Sequence, residues 1–258
     1  MARSTFYYLI NQMRKPDKYS FIKEQINDIF HTNKGRYGYR RIMLELRNRS
    51  ILINHKTVLR LMNTEGIKCL VRIKKYRSYK GTYGTIASNI LKRNFKSTVP
   101  NEKWTTDITE FALLGQKRYL SPIMDLYNGE IISYTISERP NLDMVINMLK
   151  KALPIKDKEQ NLVLHSDQGW HYQHANYQKI LIENGIKQSM SRKGNCLDNA
   201  SMENFFGLLK SELLYLQNFN SINEFEDELK DYIDYYNYDR IKSKLKGLSP
   251  IMFRTQSL

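Results

Sequence analysis

The sequence predicts an α/β domain preceded by a small helical domain, and three observations support this architecture. Short apolar runs typical of strands alternate with helical patterns from residue 104 onward. Between residues 21 and 66, apolar residues recur at helical spacing only. The charge is also uneven: residues 1–99 hold 22 Lys and Arg against 5 Asp and Glu, a net charge of +17, whereas the rest of the chain carries −2. The change in composition therefore falls close to the first strand.

Three helices with short connections are predicted in the domain spanning residues 21–70. The first begins at Phe21 and ends at Asn33-Lys34-Gly35, the second contains Ile42, and the third follows Asn54, whose side chain is a good N-cap. The last two helices have the size of a helix-turn-helix, with the third as the recognition-helix candidate. Any three-helix bundle shows the same pattern, so it is the positive charge that favours nucleic-acid binding.

A basic linker is predicted over residues 71–101, and residues 1–20 are predicted to be a connector with little periodicity. In the first part of the linker Lys and Arg alternate with Tyr, a pattern that suits contact with DNA phosphates as well as a solvated connection between domains. The candidate DNA-contacting residues in the first part of the chain are Arg40, Arg41, Lys56, Arg60, Lys74 and Lys75.

The α/β core, residues 102–215, is predicted to open with three antiparallel strands. These strands span residues 104–114, 118–125 and 131–136, with turns at Gly115 and at Asn128-Gly129. The elements predicted after them are a helix over 142–153, a strand over 162–164, a helix over 174–184, a strand over 186–190 and a helix that starts near Ala200. Residues 216–258 are predicted to be a helical extension of this core that stops at Pro250.

Three acids are predicted to stand on three different elements of the core. Asp107 lies in the middle of the first strand, Asp167 directly follows the strand that ends near His165, and Glu203 lies in the first turn of its helix. Carboxylate oxygens are the ligands that hard divalent ions such as Mg²⁺ prefer. A single Asp is more often a surface charge, and Asp125 at the end of its strand is a rival to Asp107.

The order of these residues resembles the transposases of bacterial insertion sequences, in the group whose catalytic core is similar to that of retroviral integrases. The resemblance is carried by Trp104-Thr-Thr-Asp107-Ile-Thr, His165-Ser-Asp167-Gln-Gly, the 35 residues between Asp167 and Glu203, Gly194-Asn195, Asp198-Asn199-Ala200, Phe205-Phe206, Leu209-Lys210-Ser211-Glu212, Tyr236-Asn237 and Leu248-Ser249-Pro250. It covers nearly the whole chain, and this many matches in order are highly specific.

The resemblance implies a ribonuclease H-like fold in which Asp107, Asp167 and Glu203 are the catalytic acids. They would hold two Mg²⁺ (or Mn²⁺) ions, with Asp107 bridging them, and such a pair serves in-line displacement at phosphorus. The implied reaction is strand cleavage at the element's ends, followed by attack of the freed 3′-hydroxyl on another strand. Lys210, about two helical turns beyond Glu203, matches a position that contacts DNA. Asn199 is a further candidate for DNA contact, although capping the helix is its simpler role.

The resemblance also implies partners. The expected DNA is double-stranded, comprising the element's terminal repeats and the target. Family members are commonly encoded in two overlapping frames, and this chain resembles the second product, so an upstream helix-turn-helix and zipper protein, or a fusion with it, is an expected partner. An oligomer is expected when the protein is active. Two alternatives are a DNA-binding regulator, which would be expected to lack one of the three acids, and a ribonuclease H-type nuclease, which would not need so large a helical module.

Other classes of protein are disfavoured by composition. No apolar run approaches the roughly 18 residues of a membrane span, and the two cysteines have no CxxC partner. Both observations favour a protein of the reducing cytoplasm. His165, His171, His174 and Cys196 could be imagined as a zinc site, but their spacings match no zinc pattern that we can justify.

Overall fold

The computed structural model describes residues 2–7, 17–71, 87–91, 94–156, 161–192 and 199–256. The chain divides into two compact units, Met1–Val71 and Arg72–Leu258. Within the described residues, no helix combines the length and the apolar character needed to cross a membrane.

The first unit is built on the three predicted helices. They are α1 (Ser20–Thr32), α2 (Tyr39–Asn48) and α3 (His55–Thr64). Asn54 is the N-cap of α3, as predicted, because its side chain accepts a hydrogen bond of 2.8 Å from the Lys56 amide. The helices share a small apolar core whose fully buried members are Ile26, Ile29, Ile42, Leu46, Val58 and Leu61.

The second unit is organised around one six-stranded mixed sheet. Its strands are β1 (Lys103–Thr106), β2 (Thr109–Leu113), β3 (Gln116–Asp125), β4 (Ile131–Ser137), β5 (Val163–Ser166) and β6 (Lys187–Met190). Strand β3 pairs antiparallel with β4, and it also pairs antiparallel with β2 and then with β1. Strand β5 pairs parallel with β1 and with β6. The predicted antiparallel meander and the mixed sheet are therefore confirmed.

One predicted strand is two strands in the structure. The sequence pattern placed Asp107 in the middle of a continuous strand, but β1 ends at Thr106 and β2 begins at Thr109. The physical reason is a change of partner: β1 is paired on both sides, with β3 and β5, whereas β2 is paired with β3. The break leaves Asp107 outside both ladders, where its side chain can face a pocket.

Helices cover both faces of the sheet and bury two separate apolar cores. They are α4 (Leu142–Ala152), α5 (Trp170–Gln173), α6 (Ala175–Glu183), α7 (Ala200–Leu209), α8 (Ile222–Tyr238) and α9 (Pro250–Gln256). Alternate residues of β3 point to opposite faces, so Ile123 packs with α4 and α6 while Met124 packs with α7 and α8. Each large apolar side chain that is fully buried contributes about 1.5–3 kcal/mol.

Short segments complete the second unit. Leu153–Ile155 and Ser243–Leu245 form 3₁₀ turns, and the π-helical segment Lys210–Leu214 continues α7. Pro250 does not stop the chain's helical structure as predicted but begins α9, a position that suits proline because the first-turn amide needs no partner there. Within the predicted linker, Leu91 is buried and the Ile90 amide donates to Ser189 Oγ at 2.9 Å, so this part lies against β6.

Candidate active site

The register of two parallel strands brings Asp107 and Asp167 together. Trp104 on β1 pairs with Leu164 on β5, and Thr105 pairs with His165. Continuing this register by two residues places Asp107 opposite Asp167 at the carboxyl ends of both strands. One carboxylate oxygen of each acid accepts a backbone hydrogen bond of 2.8 Å, from the Ile108 amide and from the Gly169 amide. Both side chains are thereby oriented at the same end of the sheet.

Both acids line one open pocket with a volume of about 210 Å³. Helix α5, which starts three residues after Asp167, supplies aromatic side chains to its wall, and Trp170 is 49% exposed. The pocket is lined by Asp107, Ile108, Glu110, Tyr119, Pro140, Asp167, Gly169, Trp170, His171 and Tyr172.

Gly169 is required by the close packing beside Asp167. A Cβ atom at this position would lie 2.9 Å from Asp167 Oδ1 and 3.3 Å from Tyr172 Cδ2. The first of these distances is shorter than carbon and oxygen atoms tolerate, so any larger residue would displace the carboxylate. The Gly that follows Asp167 by two residues therefore has a steric role in the site.

The three acids share one electrostatic environment. Burial is the main cause that raises the pKa of Asp107 well above its ordinary value, and the negative charges of Asp167 and Glu203 raise it further. Burial also raises the pKa of Asp167 and the pKa of Glu203. The Gly169 amide and the nearby His171 oppose the shift of Asp167. The charges of Asp167 and Glu203 thus both act on Asp107.

Asn199 connects the helix that carries Glu203 to strand β1. Its side-chain oxygen accepts from Thr105 Oγ1 at 2.8 Å, and its amide nitrogen donates to the Thr106 carbonyl at 3.3 Å. The capping role favoured by the sequence is wrong, because this side chain makes no hydrogen bond to the first turn of α7. Asn199 is also buried, which disfavours direct contact with DNA. It fixes α7, and hence Glu203, relative to Asp107.

Comparisons with known proteins identify the family to which the chain belongs. Residues 97–196 and residues 203–258 each match a family model described as an integrase core domain, and residues 18–76 match an HTH-like domain. The chain is 56% identical to the putative transposase InsK for insertion sequence element IS150 of Escherichia coli, over 100% of this chain and 91% of that protein. The chain belongs to the family of insertion-sequence transposases.

Further relatives differ in length. This transposase is 54% identical to an uncharacterized transposase-like protein of Haemophilus influenzae, over 81% of this chain and 96% of that protein. It is 37% identical to the probable transposase for IS1353 of Shigella flexneri, over 98% of this chain but 50% of that protein. Among solved structures, the HTLV-2 integrase catalytic core domain in complex with magnesium is 18% identical, with a TM-score of 0.49 over 61% of this chain and 98% of that chain.

The family assignment confirms the predicted fold and class of enzyme. The integrase core is a ribonuclease H-like fold, and it follows a helix-turn-helix-like domain in this transposase. Proteins of this family are polynucleotidyl transferases. The predicted function as an insertion-sequence transposase is therefore confirmed.

Lys210 lies in this transposase at the junction of α7 and the π-helical segment. Its Nζ atom is 5.5 Å from the centre of the Phe111 ring. Burial lowers its pKa, and the charge of Glu110 opposes that shift. Glu212, two residues further along the chain, is buried and receives two hydrogen bonds of 2.7 and 2.6 Å from Arg240. Lys210 therefore stands beside the pocket acid Glu110.

The histidines considered as a zinc site have separate structural partners. His165 is fully buried with Nδ1 2.9 Å from Ser189 Oγ, and the His171 Nε2 atom is within hydrogen-bond distance of the Pro140 carbonyl. His174 caps α6 by accepting from the Asn176 amide at 3.2 Å. Cys196, the fourth residue of that alternative, lies outside the described residues.

Asp125, the rival acid, has a structural role at the other end of β1. It is fully buried and accepts hydrogen bonds from the Arg254 side chain at 2.9 Å, the Asn101 amide at 2.9 Å and the Tyr127 amide at 3.0 Å. It pairs with Trp104, at the opposite end of β1 from Asp107. Asp125 thereby anchors α9 to the sheet.

The candidate DNA-contacting residues of the first unit lie mostly on its surface. Arg40, Lys56 and Arg60 are exposed, and Arg41 is partly buried with its guanidinium over the Tyr37 ring. Lys74 and Lys75 lie outside the described residues.

Two pocket residues, Trp170 and Tyr172, were not predicted from the sequence, although both follow Asp167 within five residues.

Proposed function

We propose that this transposase uses Asp107, Asp167 and Glu203 as one acid set that binds divalent ions and catalyses cleavage and joining of DNA strands. The observation that carries the proposal is that Asp107 and Asp167 line the same pocket at the carboxyl ends of two paired strands, and the charge of Glu203 also acts on Asp107. Two carboxylates that line one pocket provide oxygen ligands of the kind that hard divalent cations prefer.

The donor set suits Mg²⁺ or Mn²⁺, and we expect two ions. The acids contribute oxygen atoms, and the ring nitrogen of His171 that faces Pro140 is engaged with its carbonyl. Within the described part of the chain, no three His, Cys, Asp or Glu side chains are close enough to hold one ion. Asp107, Asp167 and Glu203 would together hold the ions, which requires the Glu203 side chain to move toward the two acids that line the pocket.

The chemistry divides between the bound ions and the chain's own groups. The ions would activate the attacking oxygen and stabilise the leaving oxygen at phosphorus. The Ile108 and Gly169 amides hold one oxygen of each pocket acid, which limits the rotation of the carboxylates. Asn199 sets the position of the helix that carries Glu203. Lys210 would neutralise a phosphate of DNA entering beside Phe111.

The DNA that this proposal requires is double-stranded, first at the terminal repeats of the element and then at the target. The basic first unit, with Arg40, Lys56 and Arg60 exposed, supports contact with its phosphates. Holding two ends together would need oligomerisation, which we assign to an upstream-frame zipper partner or fusion.

The test uses labelled element ends with Mg²⁺ or Mn²⁺. Asp167→Asn is expected to abolish cleavage while affinity for the same DNA stays close to that of the wild type, because the substitution removes an anionic ligand and leaves the DNA-binding unit unchanged. Asp231→Asn, at an exposed position on α8, is the matched control and should cleave normally. Cleavage by Asp167→Asn at the wild-type rate would remove Asp167 from the site and refute the proposal. A wild-type protein that binds the ends but never cleaves would favour the regulator.

A further inference from the structure

Two tyrosine hydroxyl groups are buried beside the active-site pocket without a hydrogen-bond partner. Tyr172 and Tyr177 are each 1% exposed, and within the described residues neither hydroxyl has a partner. Their rings contact each other edge to face, with centroids 5.6 Å apart. Burying a hydroxyl without a partner is unfavourable, so both groups require a physical explanation.

The two tyrosines differ in what they face. Tyr172 lines the pocket that contains Asp107 and Asp167, whereas Tyr177 does not. The Tyr172 ring and the Asp167 carboxylate flank the same small residue, because a Cβ atom on Gly169 would be 3.3 Å from the ring and 2.9 Å from the carboxylate. The backbone of Tyr172 is held by Gly169, whose carbonyl accepts from its amide at 3.1 Å, and by Gln188, whose side chain donates to its carbonyl at 2.6 Å. The packing and the backbone hydrogen bonds therefore fix the position of the Tyr172 ring.

The causes of the pKa shifts also differ between Tyr172 and Tyr177. Burial raises the pKa of both tyrosines. For Tyr172 the charges of Asp107 and Asp167 raise the pKa further, whereas burial alone accounts for the raised pKa of Tyr177. The Thr106 side chain lies near enough to the Tyr172 hydroxyl to lower its pKa, but the Thr106 hydroxyl donates its own hydrogen to the Pro122 carbonyl at 2.8 Å, and no hydrogen bond joins it to Tyr172 in the described residues. The Tyr172 side chain therefore lies where the charges of both pocket acids act on it.

We propose that Tyr172 is a positioning residue whose hydroxyl donates a hydrogen bond to an oxygen of the Asp107–Asp167 pair when the pair holds a divalent ion. This inference rests on the proposed function. A carboxylate drawn toward an ion would supply the acceptor that the hydroxyl otherwise lacks. Groups that orient metal-binding side chains in this way typically change metal affinity or activity by about 10–100-fold when they are removed.

The test compares Tyr172→Phe with the matched control Tyr177→Phe in the full chain. Without metal, both variants are expected to melt at or above the wild-type temperature, because each loses a buried hydroxyl that has no partner. The Mn²⁺ concentration that gives half of the metal-dependent rise in melting temperature should increase about 10-fold or more for Tyr172→Phe. The Mn²⁺ dependence of cleavage should shift in parallel, and Tyr177→Phe should match the wild type in both assays.

Two results would overturn the inference. One is a Tyr172→Phe protein with the wild-type dependence on Mn²⁺. The other is a metal-free melting temperature that falls for Tyr172→Phe and not for Tyr177→Phe, since that would show a partner such as Thr106 for the hydroxyl. Failure of the proposed function has a different signature: the wild type would show no Mn²⁺-dependent stabilisation and Asp167→Asn would cleave normally, which would overturn both proposals.

Discussion

Replacing Asp107 by Asn should stabilise the metal-free protein and abolish its response to metal. Asp107 is the acid whose pKa is raised by burial and by the charges of two other acids, Asp167 and Glu203. At neutral pH its ionised form is therefore unfavourable in the folded state when no cation is present. Asn has nearly the same shape and keeps an oxygen that can accept from the Ile108 amide, so the substitution removes the charge and leaves the packing in place.

The size of the effect follows from the cost of an uncompensated buried group. Leaving a buried polar group without compensation costs about 1–3 kcal/mol, and more when it is charged. For a domain of 150–250 residues, each kcal/mol shifts the melting temperature by about 2–4 °C. In EDTA at pH 7, Asp107→Asn should therefore melt roughly 2–12 °C above the wild type. In Mn²⁺ the order should reverse, because the ions stabilise only the protein that binds them.

The pH dependence of the free energy of unfolding independently gives the sign of the effect of Asp107→Asn. The pKa of Asp107 in the folded protein lies above that in the unfolded chain, which is about 3.9. Between these two values the folded protein binds more protons, so the free energy of unfolding of the wild type falls as the pH rises through this window. The difference in the free energy of unfolding between Asp107→Asn and the wild type should therefore be small at pH values below the pKa of the unfolded chain. It should reach its maximum at pH values above the pKa of the folded protein.

The assay is thermal unfolding followed by circular dichroism across pH 3–8, in EDTA and in Mn²⁺. Asp231→Asn, which removes an exposed carboxylate from α8, is the control for a general change in net charge. The reasoning would be refuted if Asp107→Asn melted below the wild type in EDTA at pH 7, or if it kept the wild-type stabilisation by Mn²⁺.

Two further predictions concern regions outside the pocket. Glu212→Gln should lower the free energy of unfolding by about 3–5 kcal/mol, because it leaves the Arg240 guanidinium buried without its ion-pair partner. Denaturant unfolding measures this change, and a loss of stability below about 1 kcal/mol would contradict the prediction. Reversing the exposed Lys56 and Arg60 to Glu should weaken binding to any DNA sequence and reduce the slope of log affinity against log salt by about 1 per lost phosphate contact. Reversing the exposed Lys150 on α4 is the control, and an unchanged slope in the double variant would remove both residues from the DNA surface.

Local patterns were sufficient for most of the secondary structure. The three helices of the first unit were predicted because their apolar spacing, the Asn54 cap and the Gly35 end are all local features. The antiparallel strands were predicted from apolar runs separated by turn residues. The strand break at Asp107 was missed, since it depends on which strands pair on each side of β1, and that pairing is set by chain segments far away in sequence.

The sequence by itself determined the order of the elements and marked Asp107, Asp167 and Glu203 as candidate acids, because helical spacing, turn chemistry and residue order are all properties of neighbouring residues. Only the tertiary structure decided what the polar side chains contact. Asn199 was predicted as a cap, but its partner Thr105 lies 94 residues away. Glu212 accepts hydrogen bonds from Arg240, 28 residues away in sequence. The Tyr172 hydroxyl is buried beside the acids by the packing of α5 on the sheet, and no local pattern carries that information.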